Sequence, residues 1–222
     1  MGKEYTRLVS ILGQLPFADR VILLDDFEGL LQWSAFEPVG DYILELDPSR
    51  CKHGSQSIFM QTRTTGQAED DKVGMTRSLH LLPTKILTLL TGFYVPSGLN
   101  TKFIEFIFNW YDGTAIHTAS IGYILATHYW QYYTDGEAYA NITGSNIPMN
   151  DTTWHLLKLA INLDTDKYIS LQIDHRIHDL SALSSFSEPD PGGSRLITTI
   201  TAHAAASGVG SLNINDLAIY EV

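Results

Sequence analysis

The sequence predicts an all-β chain: a two-sheet antiparallel sandwich entered through a short N-terminal arm, helical or extended. Three observations point there. From Val21 onward, short apolar-rich segments alternate in character, as in Phe103-Ile104-Glu105-Phe106-Ile107-Phe108 and Tyr168-Ile169-Ser170-Leu171-Gln172-Ile173. Turn-forming clusters separate them: Pro96-Ser97-Gly98, Asp112-Gly113, Asp135-Gly136, Thr143-Gly144-Ser145-Asn146 and Asp164-Thr165-Asp166. After residue 20 no stretch carries the 3.6-residue apolar period over three helical turns.

The elements follow in order. Leu8, Val9, Ile11, Leu12 and Leu15 fall at near-helical spacing before Pro16, which makes residues 1–20 an apolar arm expected to pack on its own domain or on a neighbour. Strands are expected at 20–28, 41–47, 56–64, 73–80, 85–95, 102–110, 116–125, 128–134, 153–163, 167–174, 195–204 and 211–221, which makes residues 21–222 one domain. Two polar stretches, 62–72 and 184–194, read as long loops.

Composition excludes several function classes. The formal net charge of −11 argues against a nucleic-acid partner, because phosphate binding needs a Lys/Arg surface. The single cysteine, Cys51, builds no intrachain disulfide framework and reads as a small, partly buried thiol, although His53 lies two residues away. No apolar run approaches the ~20 residues of a membrane helix. The start, Met1-Gly2-Lys3-Glu4-Tyr5-Thr6, lacks the pattern of a signal peptide, so the chain is expected to be made in the cytoplasm, with a particle surface or the exterior as its final location.

Three stretches carry a family likeness: Asp26-Phe27-Glu28-Gly29 with Trp33, His53-Gly54-Ser55-Gln56-Ser57-Ile58, and Asn215-Asp216-Leu217-Ala218-Ile219-Tyr220. A Trp-led strand from Thr153-Trp154-His155 and the acid-terminated strand ending at Asp174 add to it. With these the chain resembles the concanavalin A-like jelly rolls, particularly the laminin-G-like and carbohydrate-binding-module sandwiches. The resemblance implies that the first and last strands meet at the Gly-Ser corner. It also implies a structural calcium there, held by Asp26, Glu28, the Lys52 carbonyl and Asp216, since calcium takes carboxylate and carbonyl oxygens. The sequence departs from the pattern at Gly29, directly after Glu28, and at Asn215, where a second Asp is common.

Catalytic constellations are sparse. Glu105, flanked by Phe103 and Phe106, is the best strand carboxylate, yet a glycosidase needs two acids and the strand offers one. His175 and His178 beside Asp174 and Asp179 have metal-ligand spacing but read as a polar strand end. The densest chemistry is aromatic. In Tyr129-Trp130-Gln131-Tyr132-Tyr133, Trp130 and Tyr132 share one face and Tyr129, Gln131 and Tyr133 the other. With Trp110 and Tyr111 these form a candidate surface for a glycan or a protein, because sugar C–H faces stack on aromatic rings. The resulting expectation is a non-catalytic structural or assembly module on a virion or particle surface, binding copies of itself or a shell protein. The alternative is a carbohydrate-binding module, and a glycoside hydrolase or lyase ranks third.

Overall fold

The computed structural model describes residues 20–222 except 39, 81–84, 97–99, 150–152 and 207. The expected arm, residues 1–20, therefore lies almost wholly outside the described residues. Among the described residues sixteen strands form two eight-stranded sheets. They are β1 (Arg20–Asp25), β2 (Ser34–Phe36), β3 (Ile43–Asp47), β4 (Ser57–Gln61), β5 (Lys72–His80), β6 (Ile86–Tyr94), β7 (Thr101–Tyr111), β8 (Ala115–Ile124), β9 (Tyr129–Tyr133), β10 (Tyr139–Asn141), β11 (His155–Asn162), β12 (Lys167–Ile173), β13 (Arg176–Asp179), β14 (Phe186–Pro189), β15 (Arg195–Ala204) and β16 (Ser211–Glu221). One sheet runs β13-β12-β11-β6-β16-β4-β3, with β1 also paired to β16. The other runs β10-β9-β8-β7-β15-β5-β2, with β14 also paired to β8.

Every named pairing is antiparallel, so the side chains that alternate along a strand sort onto two faces. The inner faces meet in one core. Ile104, Phe106 and Phe108 of β7, Leu196 and Ile200 of β15, Leu157 and Leu159 of β11 and Leu212 and Ile214 of β16 are buried there. Phe93, Phe106, Tyr123 and Trp130 pack edge-on or tilted at its centre, at centroid separations of 5.1–6.4 Å.

Four strands absent from the sequence expectation, β2, β10, β13 and β14, have three or four residues each. Such segments are too short to show a period. The expected loop 184–194 contains β14, whose Phe186, Ser187, Glu188 and Pro189 pair with Thr118, His117, Ile116 and Ala115. Pro189 is tolerated because it is the last residue of a short strand added at that position.

The first and last strands meet as expected. Val21, Leu24 and Asp25 of β1 pair with Tyr220, Ala218 and Leu217 of β16. Beside this pair Glu28 accepts hydrogen bonds from the Ser55 amide (2.8 Å), the Ser55 hydroxyl (2.5 Å) and the Gln56 amide (3.3 Å). Asn215 accepts from the Lys52 and His53 amides and donates to the Gln56 carbonyl. The His53 ring meets Asp216 at 2.7 Å. A β-bulge between Asn215 and Leu217 puts Asp216 at φ 52° and aims its carboxylate at the corner.

Candidate functional site

The outer face of the second sheet carries a polar cluster in the middle of its span. On β7 the inner phase is Ile104, Phe106 and Phe108, so Phe103, Glu105, Ile107 and Asn109 take the outer phase. On β15, Leu196, Thr198, Ile200 and Ala202 are inner, and Arg195, Ile197, Thr199, Thr201 and His203 are outer. Register sets Glu105 opposite Thr201 on β15 and Gly122 on β8, and Phe103 opposite His203. Glu105 thus lies between two central strands. β9 and β10 bring Tyr133 and Tyr139, paired with each other, alongside.

Glu105 is the hub. Tyr139 donates its phenol proton to the carboxylate in a short hydrogen bond, and the Ser120 hydroxyl donates at 2.7 Å. Thr201 reaches the carboxylate at 3.4 Å, and the His203 ring lies 3.6 Å from it. Thr201 and His203 also contact each other at 3.0 Å, and Ser120 and Tyr139 at 2.8 Å. Phe103 packs edge-on against both Tyr139 (5.2 Å) and His203 (5.4 Å). Its ring occupies the space above Gly122, where an added Cβ would come within 1.9 Å of it. Tyr133 extends the aromatic row by contacts with Tyr139 and Phe186.

Support comes from the other sheet. Tyr168, fully buried on β12, crosses the sandwich and accepts from the Ser120 amide at 2.9 Å. Its hydroxyl also lies within hydrogen-bond reach of the Ser120 and Tyr133 carbonyls. The backbone carrying the cluster is thereby tied to the core.

Two groups of the cluster are shifted by their surroundings. Burial pushes the Glu105 carboxyl up, but hydrogen bonds from His203, Tyr139 and Ser120 outweigh it and hold the group below its ordinary range, hence ionised. Burial and the adjacent Glu105 charge push the Tyr139 phenol far up, hence protonated. The cluster is a fixed acceptor surrounded by fixed donors.

The anticipated ligand surface divides. Trp130, at 0% exposure, and Trp110, at 2%, are core residues, because their strand phase points inward. Trp110 is further covered by His117, stacked at 5.1 Å, and His117 bridges Asp112 and Asp166. Tyr111 is buried under the Arg195 guanidinium, 3.9 Å above its ring. Tyr132 shares the inner phase of Trp130 and is half-buried at the sheet edge, against Tyr168. Tyr129 and Tyr133 take the outer phase, and Tyr133 joins the Glu105 cluster. Sequence reading missed Tyr139, Ser120, Thr201 and His203 as partners of Glu105. The polar phase Thr199-x-Thr201-x-His203 against inward Ile200 and Ala202 is the signal that marks β15.

Asp26, Glu28, Lys52 and Asp216, the residues anticipated for calcium, all belong to the chain-end corner. There Glu28 faces backbone and hydroxyl donors, Asp216 faces His53, and Asp26 accepts from the Glu28 amide. Among the described residues no three His, Cys, Asp or Glu side chains converge as a metal site, His175 and His178 included.

No protein-family model and no curated protein sequence matches the chain. Solved structures do match. The cellulose-induced protein Cip1 superposes with a TM-score of 0.60 at 13% identity, covering 90% of this chain and 97% of its own. The endo-β-1,4-glucuronan lyase from the fungus Trichoderma reesei gives 0.65 at 12% identity, over 91% and 96%. The carbohydrate recognition domain of Emp46p gives 0.52 at 13%, over 90% and 95%. The fold is a concanavalin A-like jelly roll. At these identities the likeness establishes the jelly-roll architecture, and function rests on the chain's own residues.

Proposed function

We propose that this jelly roll is a non-catalytic glycan-binding module whose binding surface is the outer face of the second sheet. The observation that carries the reading is the Glu105 cluster: an ionised acceptor held rigid by Tyr139, Ser120 and Thr201 and flanked by the rings of Phe103, Tyr133 and Phe186. A sugar offers apolar C–H faces and a rim of hydroxyl donors. The rings and the half-buried amides of Asn109 and Gln131 meet both requirements, while Glu105, 13% exposed and already bonded by Tyr139 and Ser120, fixes the surface that carries them. The lyase and the carbohydrate recognition domain of the same fold, as their names state, act on or recognise carbohydrate.

Catalysis fits the cluster less well. A glycosidase needs a carboxylic acid still protonated at working pH, and Glu105 is driven the opposite way. A tyrosine base needs a lowered pKa, and Tyr139 is raised. The particle-surface reading gains no comparable support. The exposed large apolar side chains among the described residues are Val21, Leu30, Tyr42, Ile177 and Val222, of which Val21 and Val222 lie at the same end of the β1–β16 pair.

Affinity electrophoresis against soluble xylan, mannan, mixed-linkage glucan, carboxymethyl cellulose and a polyuronate tests the proposal. Retardation by at least one polymer is expected, weakened about tenfold or more by Glu105→Gln and by Tyr133→Ala. No retardation by any polymer, or retardation indifferent to both variants, overturns it. New reducing ends or unsaturated products abolished by Glu105→Gln would replace the binding reading with an enzymatic one.

A further inference from the structure

The first sheet carries an apolar patch on its outer face, the side turned away from both the core and the Glu105 cluster. On β6, Leu87, Leu89 and Phe93 face the core, so Thr88, Leu90 and Gly92 point outward. Register places Lys158 of β11 and Ala218 of β16 on either side of Leu90, and sets Tyr220 of β16 opposite Thr88. Leu24 of β1 pairs with Ala218. Four neighbouring strands, β11, β6, β16 and β1, thus share one outward surface.

That surface is hidden. Leu90 is 5%, Ala218 1% and Tyr220 2% exposed, although all three point away from the core. They form an apolar cluster separate from the core, and the apolar side chains packed on it, Leu24 and Leu156, belong to the same sheet. These residues cannot hide one another. Around Leu90 stand Ala218, Thr88, Gly92 and Lys158, and the first three are shorter than the side chain they would have to cover. The burial exists within a single chain, so a second copy is not what supplies it.

Length and place single out the covering segment. Outside the described residues, every stretch other than 1–19 has four residues or fewer. Residues 81–84, 97–99 and 150–152 each lie between strands of different sheets, and crossing the roughly 10 Å between sheets takes most of their reach. Residues 1–19 instead lead directly into Arg20, where β1 begins beside the patch. Among them Leu8, Ile11, Leu12 and Leu15 follow the i, i+3, i+4, i+7 spacing of one helical face. As a helix, residues 8–15 would measure about 12 Å, against about 14 Å from β11 to β1 at the usual strand spacing. Pro16 to Asp19 can span up to about 14 Å, enough to turn the chain from β1 back over the sheet.

We infer that the N-terminal arm, residues 1–19, docks on this outer face of its own chain, with Leu8, Ile11, Leu12 and Leu15 set against Leu90, Ala218 and Tyr220. The inference is independent of glycan binding, because the Glu105 cluster lies on the opposite side of the sandwich.

NMR of the full chain, observing Leu, Ile and Val methyl groups and Tyr rings, tests it. Nuclear Overhauser contacts are expected from the methyls of Leu8, Ile11, Leu12 or Leu15 to the Leu90 methyls or the Tyr220 ring. A sample mixed from two differently labelled copies separates docking on the same chain from exchange between chains. The double variant Leu12→Asp, Leu15→Asp alters no residue of the described core. It is expected to lose these contacts and to shift the Leu90, Ala218 and Tyr220 amides, with Ile107 and Thr199 on the second sheet unmoved. Absence of arm contacts, contacts only between differently labelled copies, or contacts from Leu81 or Leu82 in their place overturn the inference. Leu90, Ala218 and Tyr220 amides that stay unmoved in the double variant overturn it as well.

Discussion

Replacing Glu105 by Gln removes one charge and keeps the side chain's shape. In the native cluster the carboxylate accepts from Tyr139 and Ser120, with Thr201 and His203 close by. Hydrogen bonds to a charged group contribute roughly 1.5–3 kcal/mol each. Gln retains one acceptor oxygen, so about one such bond is lost and a second weakened. A donor amide also now faces the Tyr139 and Ser120 hydroxyls. The expected cost is about 2–3 kcal/mol at neutral pH, which for a domain of this size lowers Tm by about 4–12 °C. Scanning calorimetry of the variant, of Tyr139→Phe and of the double variant measures it. The two single effects should be non-additive by about 1 kcal/mol or more, since the residues share a hydrogen bond. Acid pH supplies a second readout. Glu105 has a folded-state pKa below its ordinary 4.5, so its contribution is present above that value and lost as pH falls through the lower folded value. Wild type and variant should therefore converge in Tm as pH drops below the usual carboxylate range. Equal Tm at neutral pH, or a gap that persists unchanged in acid, would refute the hub role of Glu105.

Other substitutions probe the surrounding frame. Gly122→Ala puts a methyl group where the Phe103 ring lies, displacing that ring from Tyr139 and His203. It should cost about 1–3 kcal/mol by calorimetry and weaken polysaccharide retardation with it. Trp130→Ala empties a fully buried site and should cost about 3–5 kcal/mol in denaturant unfolding. Glu28→Ala frees the Ser55 and Gln56 donors at the chain-end corner and should lower stability by about 1–2 kcal/mol. Because those donors already satisfy Glu28, Tm is expected to be unchanged by a chelator. A fall of several degrees would show that a calcium ion takes part in the corner.

Much of the architecture was legible in the chain itself. Alternation in 102–110 and 167–174 marks β7 and β12, because a period of two is a local property of a half-buried strand. The corner motifs around Asp26, Gly54 and Asn215 correctly placed the first strand beside the last. The aromatic cluster was read as a unit, and there the reading divided. Alternation separated Trp130 and Tyr132 from Tyr129 and Tyr133 but could not say which set faced the core. That choice depends on the opposite sheet, whose Phe93 packs on Trp130 and whose Tyr168 packs on Tyr132.

Sequence alone determined the class of fold and which residues share a face of a strand, and it singled out Glu105 only as the best single strand carboxylate. What tertiary structure decided was who meets it. Ser120, Tyr139, Thr201 and His203 lie 15, 34, 96 and 98 positions further along the chain, and only the order β10-β9-β8-β7-β15 brings them to one carboxylate. Strand order is set by burying both inner faces at once, a condition on the whole chain that no local pattern encodes.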